Sequence, residues 1–197
     1  GLIGSMTIIS FLGLAFLFGS AGLDNVGLLA ILFVGSISAF LIFNIWGKPA
    51  RDKKIGKTFM GDAGSMFLGL AVGVLVILGS QGEGAAFSPV TALWFVIFPM
   101  VDMFTLMYRR VRRGKSPLSP DRTHIHHILM RAGFNSWQSL YILVAVQVIL
   151  VVSGVLMELS RLPEYLSFIS AVVFITAYQL FLRRSWRFIR WNKRRYA

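Results

Sequence analysis

The sequence predicts an all-α, polytopic membrane protein of about six transmembrane helices. Three observations carry this: an excess of apolar residues, six apolar runs of spanning length, and basic residues confined to alternate connections. Hydrophobic residues make up 56% of the 197 and charged residues only 14%, with a mean hydropathy of +0.70. Soluble domains carry nearer a quarter charged residues, so long stretches here cannot face water. The absence of cysteine excludes disulfide frameworks, cysteine–zinc sites and thiol catalysis. The chain opens on Gly1-Leu2 with neither a basic n-region nor a small-residue cleavage site. No signal peptide is read there, and the chain is expected to start partway through a longer protein.

The six runs are Leu2–Ser20, Val26–Trp46, Asp62–Ser80, Pro89–Tyr108, Ser139–Leu159 and Glu164–Leu182. Each has about the 20 residues that cross a hydrocarbon core of roughly 30 Å at about 1.5 Å per residue. None shows the alternation that a membrane β-barrel strand requires. The connections Ala21–Asn25, Gln81–Ser88 and Ser160–Pro163 hold one basic residue between them, Arg161. Lys48–Lys57 holds five Lys/Arg, Arg109–Arg131 seven and Arg183–Arg195 seven, which is 19 of the 20 in the protein. All three segments fall on one side of the membrane. The positive-inside rule makes that side the cytoplasm and predicts loops at about 47–61 and 109–138, a basic tail at 183–197 and both termini inside, within one transmembrane domain. The net charge of +12 is therefore a topology signal. It serves anionic membrane lipid or an anionic substrate secondarily, and no nucleic-acid partner is expected.

Two segments on that side carry chemistry. The first, Thr58-Phe59-Met60-Gly61-Asp62-Ala63-Gly64-Ser65, enters the third span. Asp62 stands where an N-cap would, and a helix start directs free N–H groups and a positive dipole end toward an anion. Gly61 and Gly64 would let a ligand approach the backbone. The Asp62 carboxylate would suit Mg2+ bridged to phosphate. A plain helix cap is the competing reading, with Gly61, Ser65, Gly69 and Gly73 as a small-residue stripe for close helix contact.

The second segment is Ser116-Pro117-Leu118-Ser119-Pro120-Asp121-Arg122-Thr123-His124-Ile125-His126-His127, and it holds all three histidines of the protein. Ser119-Pro120 predicts a helix start and Gly133 a stop. A helix over 120–132 would put Ile125, Ile128, Leu129 and Ala132 on an apolar face and His124, His127 and Arg131 on another. Phosphate or sugar binding, a metal site and a structural surface helix all remain open. Arg122 and Arg131 favour phosphate, because they would repel a cation and form charge-assisted bonds to an anion. Zinc would need three or four ligands with second-shell support, and Asp121 is the only carboxylate in this segment. Asp102, inside the fourth span, is either a functional group or a polar brace between helices, and Asn44 near the end of the second span is a weaker case. The aromatic residues Trp46, Tyr108, Trp186 and Trp191 suit an interfacial belt.

Phe59-Met60-Gly61-Asp62-Ala63-Gly64-Ser65 with Leu68-Gly69 resembles the FMGDxGSxxLG signature of the polyprenyl-phosphate N-acetylhexosamine-1-phosphate transferases. Ser119 to His127 resembles the SPDRxHIHH loop of the WecA-like branch of that family. The resemblance implies transfer of GlcNAc-1-phosphate from UDP-GlcNAc to undecaprenyl phosphate, with release of UMP and a need for Mg2+ (or Mn2+). Such a step begins a cell-surface polysaccharide in the bacterial inner membrane. It further implies that Asp62 is a catalytic metal ligand, with Gly64 and Ser65 beside it. The histidine loop and its flanking arginines (Asp121, Arg122, His124, His126, His127 and Arg131) would hold the nucleotide sugar, with Asn44 and Asp102 as further substrate-binding candidates.

The family has about eleven spans, and the chain lacks its DDxxD and NxxxNxxDGxDGL motifs, apart from Gly1-Leu2 as the last two letters of the second. The chain is accordingly expected to be the C-terminal portion of such an enzyme, inactive without its N-terminal half. Another UDP-N-acetylhexosamine, a non-catalytic remnant and a transporter half remain as alternatives. The transporter reading is disfavoured by mid-spans that read as bland, since transporters place polar residues near the bilayer midplane.

Overall fold

The computed structural model describes residues 1–47, 58–117 and 124–195. Those residues form seven helices and no strand: α1 (Leu2–Ser20), α2 (Asp24–Trp46), α3 (Gly61–Ser80), α4 (Pro89–Arg112), α5 (Ile125–Arg131), α6 (Ser136–Leu159) and α7 (Glu164–Arg195). All but α5 are long and apolar enough to cross a membrane, giving the six candidate spans of a polytopic membrane protein.

Three spans run further than their apolar runs suggest. α4 ends four residues beyond Tyr108, α6 begins three before Ser139, and α7 continues past Leu182 to Arg195. Hydropathy marks where apolar residues stop, whereas a helix stops only where its backbone is broken. No glycine or proline stands between Leu182 and Arg195, so nothing interrupts α7 there. At α6 the start is set by a capping box instead. The Asn135 side chain accepts from Gln138 N, and the Gln138 side chain accepts from Asn135 N.

α1 is the hub, packing against α2, α3, α4 and α6, while α4 also packs on α6 and α7. Phe11, Leu14, Leu17, Phe18, Leu75, Phe87 and Phe95 form one core, and Trp94, Phe98, Ile128, Leu143, Leu150, Tyr178 and Leu182 a second. Close approach is bought by glycine at two crossings. A Cβ on Gly13 would lie 2.5 Å from a Val151 methyl, and one on Gly154 would lie 2.5 Å from the Trp94 Cβ.

The mid-spans are less bland than their composition implies. Pro99 has no N–H, so the Phe95 carbonyl four residues earlier loses its helical donor. In a bilayer such a carbonyl must be met from within the protein. Ser10 Oγ of α1 donates to it at 2.8 Å and Gln147 Nε2 of α6 at 3.1 Å, and Gln147 Nε2 also donates to Ser10 Oγ at 3.0 Å. One proline thereby ties three helices together. At the opposite end of α4 from its arginines, Glu158 of α6 accepts from Ser88 N and from Thr91 Oγ1 at 2.6 Å, where the helix dipole favours an anion.

The small-residue stripe on α3 does not make the expected helix contact among the described residues. Cβ atoms on Gly69 and Gly73 would meet nothing within 4 Å. α3 instead buries Leu68, Val72 and Leu75, a row one residue away around the helix.

Candidate active site

The start of α3 differs from a simple Asp cap. Met60 is the N-cap residue and makes no side-chain cap bond. Gly61 has φ +67°, which a residue with a Cβ adopts only at a cost. Asp62 lies in the first turn, exposed. Ser65 Oγ donates to the Asp62 carbonyl at 2.9 Å, so the carboxylate itself is not used as a cap. Gly64 does not open the backbone to a ligand: a Cβ there would lie 2.6 Å from the Met60 Cγ, so its smallness seats the Met60 side chain. Asn44, at the end of α2, donates from Nδ2 to the Thr58 carbonyl at 2.7 Å and so secures the approach to α3.

Asn44, Asp62, Ser65 and His126 all line one cavity of about 780 Å3. Its other walls include Phe40, Ile45, Phe59, Trp137, Leu140 and Leu143. Such a volume accommodates a small molecule, and the lining is mostly apolar with a few convergent polar groups. A carboxylate and an imidazole from segments far apart in sequence thus face the same space.

The histidine helix is shorter than the expected 120–132. α5 begins at Ile125, and His124 is its N-cap with ψ 152°. Ser119, Pro120, Asp121 and Arg122 lie outside the described residues, so their expected roles are not tested by the geometry. Ile125, Ile128 and Leu129 are buried as expected, but Ala132 is exposed at the C-cap. Gly133, with φ +104°, ends the helix. Because His124 leaves the helical path, the expected face of His124, His127 and Arg131 does not form. The three imidazoles pack in a row instead, with ring centroids 5.8 Å apart for His124–His126 and 4.1 Å for His126–His127. Burial lowers the His126 pKa to about 4, helped by the neighbouring His127 and His124 charges and opposed by Asp102. His126 is therefore neutral at pH 7 and faces the cavity as a hydrogen-bonding group.

His124 turns to Asp102, its Nδ1 lying 3.0 Å from Oδ2. The second oxygen, Oδ1, accepts from the Tyr178 hydroxyl of α7 at 2.7 Å. Asp102 therefore joins the histidine segment to α7. Sequence reasoning selected Asp102 and His124 without pairing them, and it missed Tyr178. The adjacent polar pair Tyr178-Gln179 inside an apolar span was the available signal.

Residues 1–80 match the model of Glycosyl transferase family 4. Relatives similar to the chain are named undecaprenyl-phosphate alpha-N-acetylglucosaminyl 1-phosphate transferase. That of Haemophilus influenzae is 35% identical over 98% of this chain and 53% of its own length. That of Yersinia pestis is 36% identical over 98% of this chain and 52% of its own. That of Pasteurella multocida is 41% identical over 70% of this chain and 39% of its own. The chain spans about half the length of the curated relatives it matches. No solved structure matches it. The chain is a multi-helix membrane protein with a largely apolar pocket that a few polar side chains enter. Its first 80 residues match glycosyl transferase family 4, and its similarity to these relatives runs over nearly the whole chain.

Proposed function

We propose that the whole protein containing these residues transfers GlcNAc-1-phosphate from UDP-GlcNAc to undecaprenyl phosphate. The products are undecaprenyl-pyrophosphate-GlcNAc and UMP. The observation that carries the reading is the shared cavity of Asp62 and His126, one residue from each resembling motif. The names of the relatives support it, as does the mixed lining, which suits one polyanionic and one apolar reactant. The positive-inside distribution supports a cytoplasmic face for this pocket, where the soluble nucleotide sugar is found, and the bacterial relatives support an inner-membrane location.

The reaction forms a bond between a lipid-phosphate oxygen and the sugar-bearing phosphorus, and it breaks that phosphorus's bond to the UMP oxygen. Two polyanions must therefore meet. Bound Mg2+ (or Mn2+) would offset that repulsion and stabilise the developing charge. Among the described residues no group of three His, Cys, Asp or Glu could hold a metal. Mg2+ fits nonetheless, because it is commonly held by one or two carboxylates together with substrate phosphates and water. Asp62, exposed on the cavity and unspent as a cap, is the carboxylate that would hold it. Ser65 and Asn44 line the same space as neutral polar groups. Neutral His126 would hydrogen-bond the nucleotide sugar, and Arg122, His124, His127 and Arg131 would complete its binding.

The test mixes the purified full-length parent with undecaprenyl phosphate and either UDP-GlcNAc or UDP-GalNAc, and follows UMP release. Release with UDP-GlcNAc, dependent on the lipid, supports the proposal. Release with UDP-GalNAc alone would overturn the sugar, and no release with either would overturn the activity.

A further inference from the structure

Asp102 was a candidate for touching substrate, yet both of its carboxylate oxygens already have protein partners. Oδ2 lies 3.0 Å from His124 Nδ1 and Oδ1 takes the Tyr178 hydroxyl at 2.7 Å. The Asp102 side chain is only 15% exposed, whereas that of His124 is 40% exposed. The carboxylate is thus the inner end of the arrangement and the imidazole its outer end. Tyr178 is itself held: its ring meets Phe98 edge-on at 5.9 Å, one turn before Asp102 on α4, and packs on Phe174 at 6.3 Å. Next to it, Gln179 donates to the Thr105 hydroxyl. Two consecutive α7 residues therefore grip α4 on either side of a helical turn, at Asp102 and Thr105.

We infer that Tyr178 is a positioning residue of the nucleotide-sugar site, acting through Asp102 to hold His124 in one orientation and one tautomer. This rests on the transferase reading given above. A carboxylate accepts only, so His124 must present Nδ1–H to it. Nε2 is then the ring atom left for a substrate oxygen or proton, as in other sites where a carboxylate sets the imidazole tautomer. His124 is also the N-cap of α5, and its carbonyl accepts from His127 N and Ile128 N. Fixing the His124 ring therefore fixes the start of the short helix that carries His126 into the cavity. Tyr178 is 7% exposed and does not line that cavity, so it acts at a distance from the reacting atoms.

The experiment uses the full-length parent and three variants. Tyr178→Phe keeps the ring and its packing and deletes only the hydroxyl. Asp102→Asn can still accept at one atom but offers N–H at the other. Ser167→Ala is the control, because it removes a different α4–α7 hydrogen bond, from Trp94 Nε1 at 3.0 Å, that touches neither Asp102 nor His124. Tyr178→Phe is expected to raise the KM for UDP-GlcNAc roughly tenfold, the scale of one lost hydrogen bond to a charged group, with a smaller change in kcat. Ser167→Ala should leave KM within about twofold of wild type, as a residue outside such a network does. The independent readout is the 15N NMR of the imidazoles, of which residues 1–197 contribute three. Wild type should show one histidine locked with Nδ1 protonated, and Tyr178→Phe and Asp102→Asn should both shift it toward a mixed tautomer. An unmoved tautomer signal and KM in Tyr178→Phe would overturn the inference, as would an equal KM rise in Ser167→Ala. Absence of transfer by the wild-type protein would instead refute the underlying function, and the tautomer measurement would still decide the role of Tyr178.

Discussion

Removing both donors from the Phe95 carbonyl should cost more than the sum of removing each. Ser10→Ala deletes the 2.8 Å bond and leaves Gln147 Nε2 in place at 3.1 Å, and Gln147→Leu does the reverse. Interhelical hydrogen bonds in membrane proteins average about 0.6 kcal/mol, so each single change should cost about 0.5–1 kcal/mol. Gln147→Leu lies at the lower end, because Gln147 Oε1 is already buried without a partner among the described residues. The double variant leaves a buried carbonyl unmet, which adds about 1–3 kcal/mol. A double-mutant cycle should therefore show coupling of about 1 kcal/mol or more. Pro99→Ala restores the N–H that α4 lacks there, so in that background the coupling should fall toward zero. The assay is reversible unfolding in mixed micelles by denaturing detergent, followed by helical circular dichroism. Strict additivity in both backgrounds would refute the assignment of this node to the missing proline donor.

Further predictions concern pH, packing and a helix end. The folded-state pKa of His126 is lowered to about 4 from 6.5, so below pH 6.5 the unfolded chain takes up a proton that the folded chain refuses. Its share of stability is intact above pH 6.5 and is lost as pH falls toward 4. Thermal unfolding of wild type and His126→Gln should then diverge across that window, and parallel curves would contradict it. Gly154→Ala should destabilise by about 1–3 kcal/mol, because the added Cβ meets the base of the Trp94 side chain rather than a movable tip. Unchanged stability in the micelle assay would contradict that packing. Glu158→Ala strips the acceptor from Ser88 N and Thr91 Oγ1 and should cost about 1–2 kcal/mol, against a smaller loss for Glu158→Gln, which keeps an acceptor. Equal losses in the two variants would assign the effect to charge alone.

The spans were legible because a bilayer imposes one strong rule on composition, and their two-sided basic pattern agreed with their number. Gly133 as a helix stop was legible for a local reason, since few residues but glycine adopt its backbone conformation cheaply. The partners of polar groups were harder. Pro99 announces an unmet carbonyl at Phe95, but nothing local says that Ser10 and Gln147 supply the donors. His124 could be placed on a helix by spacing, but in the fold it stands outside that helix as its cap, with its ring against Asp102. Gly64 looked like an opening for a ligand and is filled by Met60. Asp62 and His126 were each chosen from their own segment, and only the fold brings both to one cavity. In each case local chemistry was readable and the long-range partner was not.

The most direct test of the account is transfer of radiolabelled sugar phosphate from UDP-GlcNAc to undecaprenyl phosphate by the full-length parent and its Asp62→Asn variant. The account predicts lipid-linked label that depends on Mg2+ or Mn2+ for the parent. It predicts a loss of at least about a hundredfold in a variant that remains folded, the scale of removing one group that stabilises transition-state charge. Normal transfer by Asp62→Asn would contradict the account at its centre.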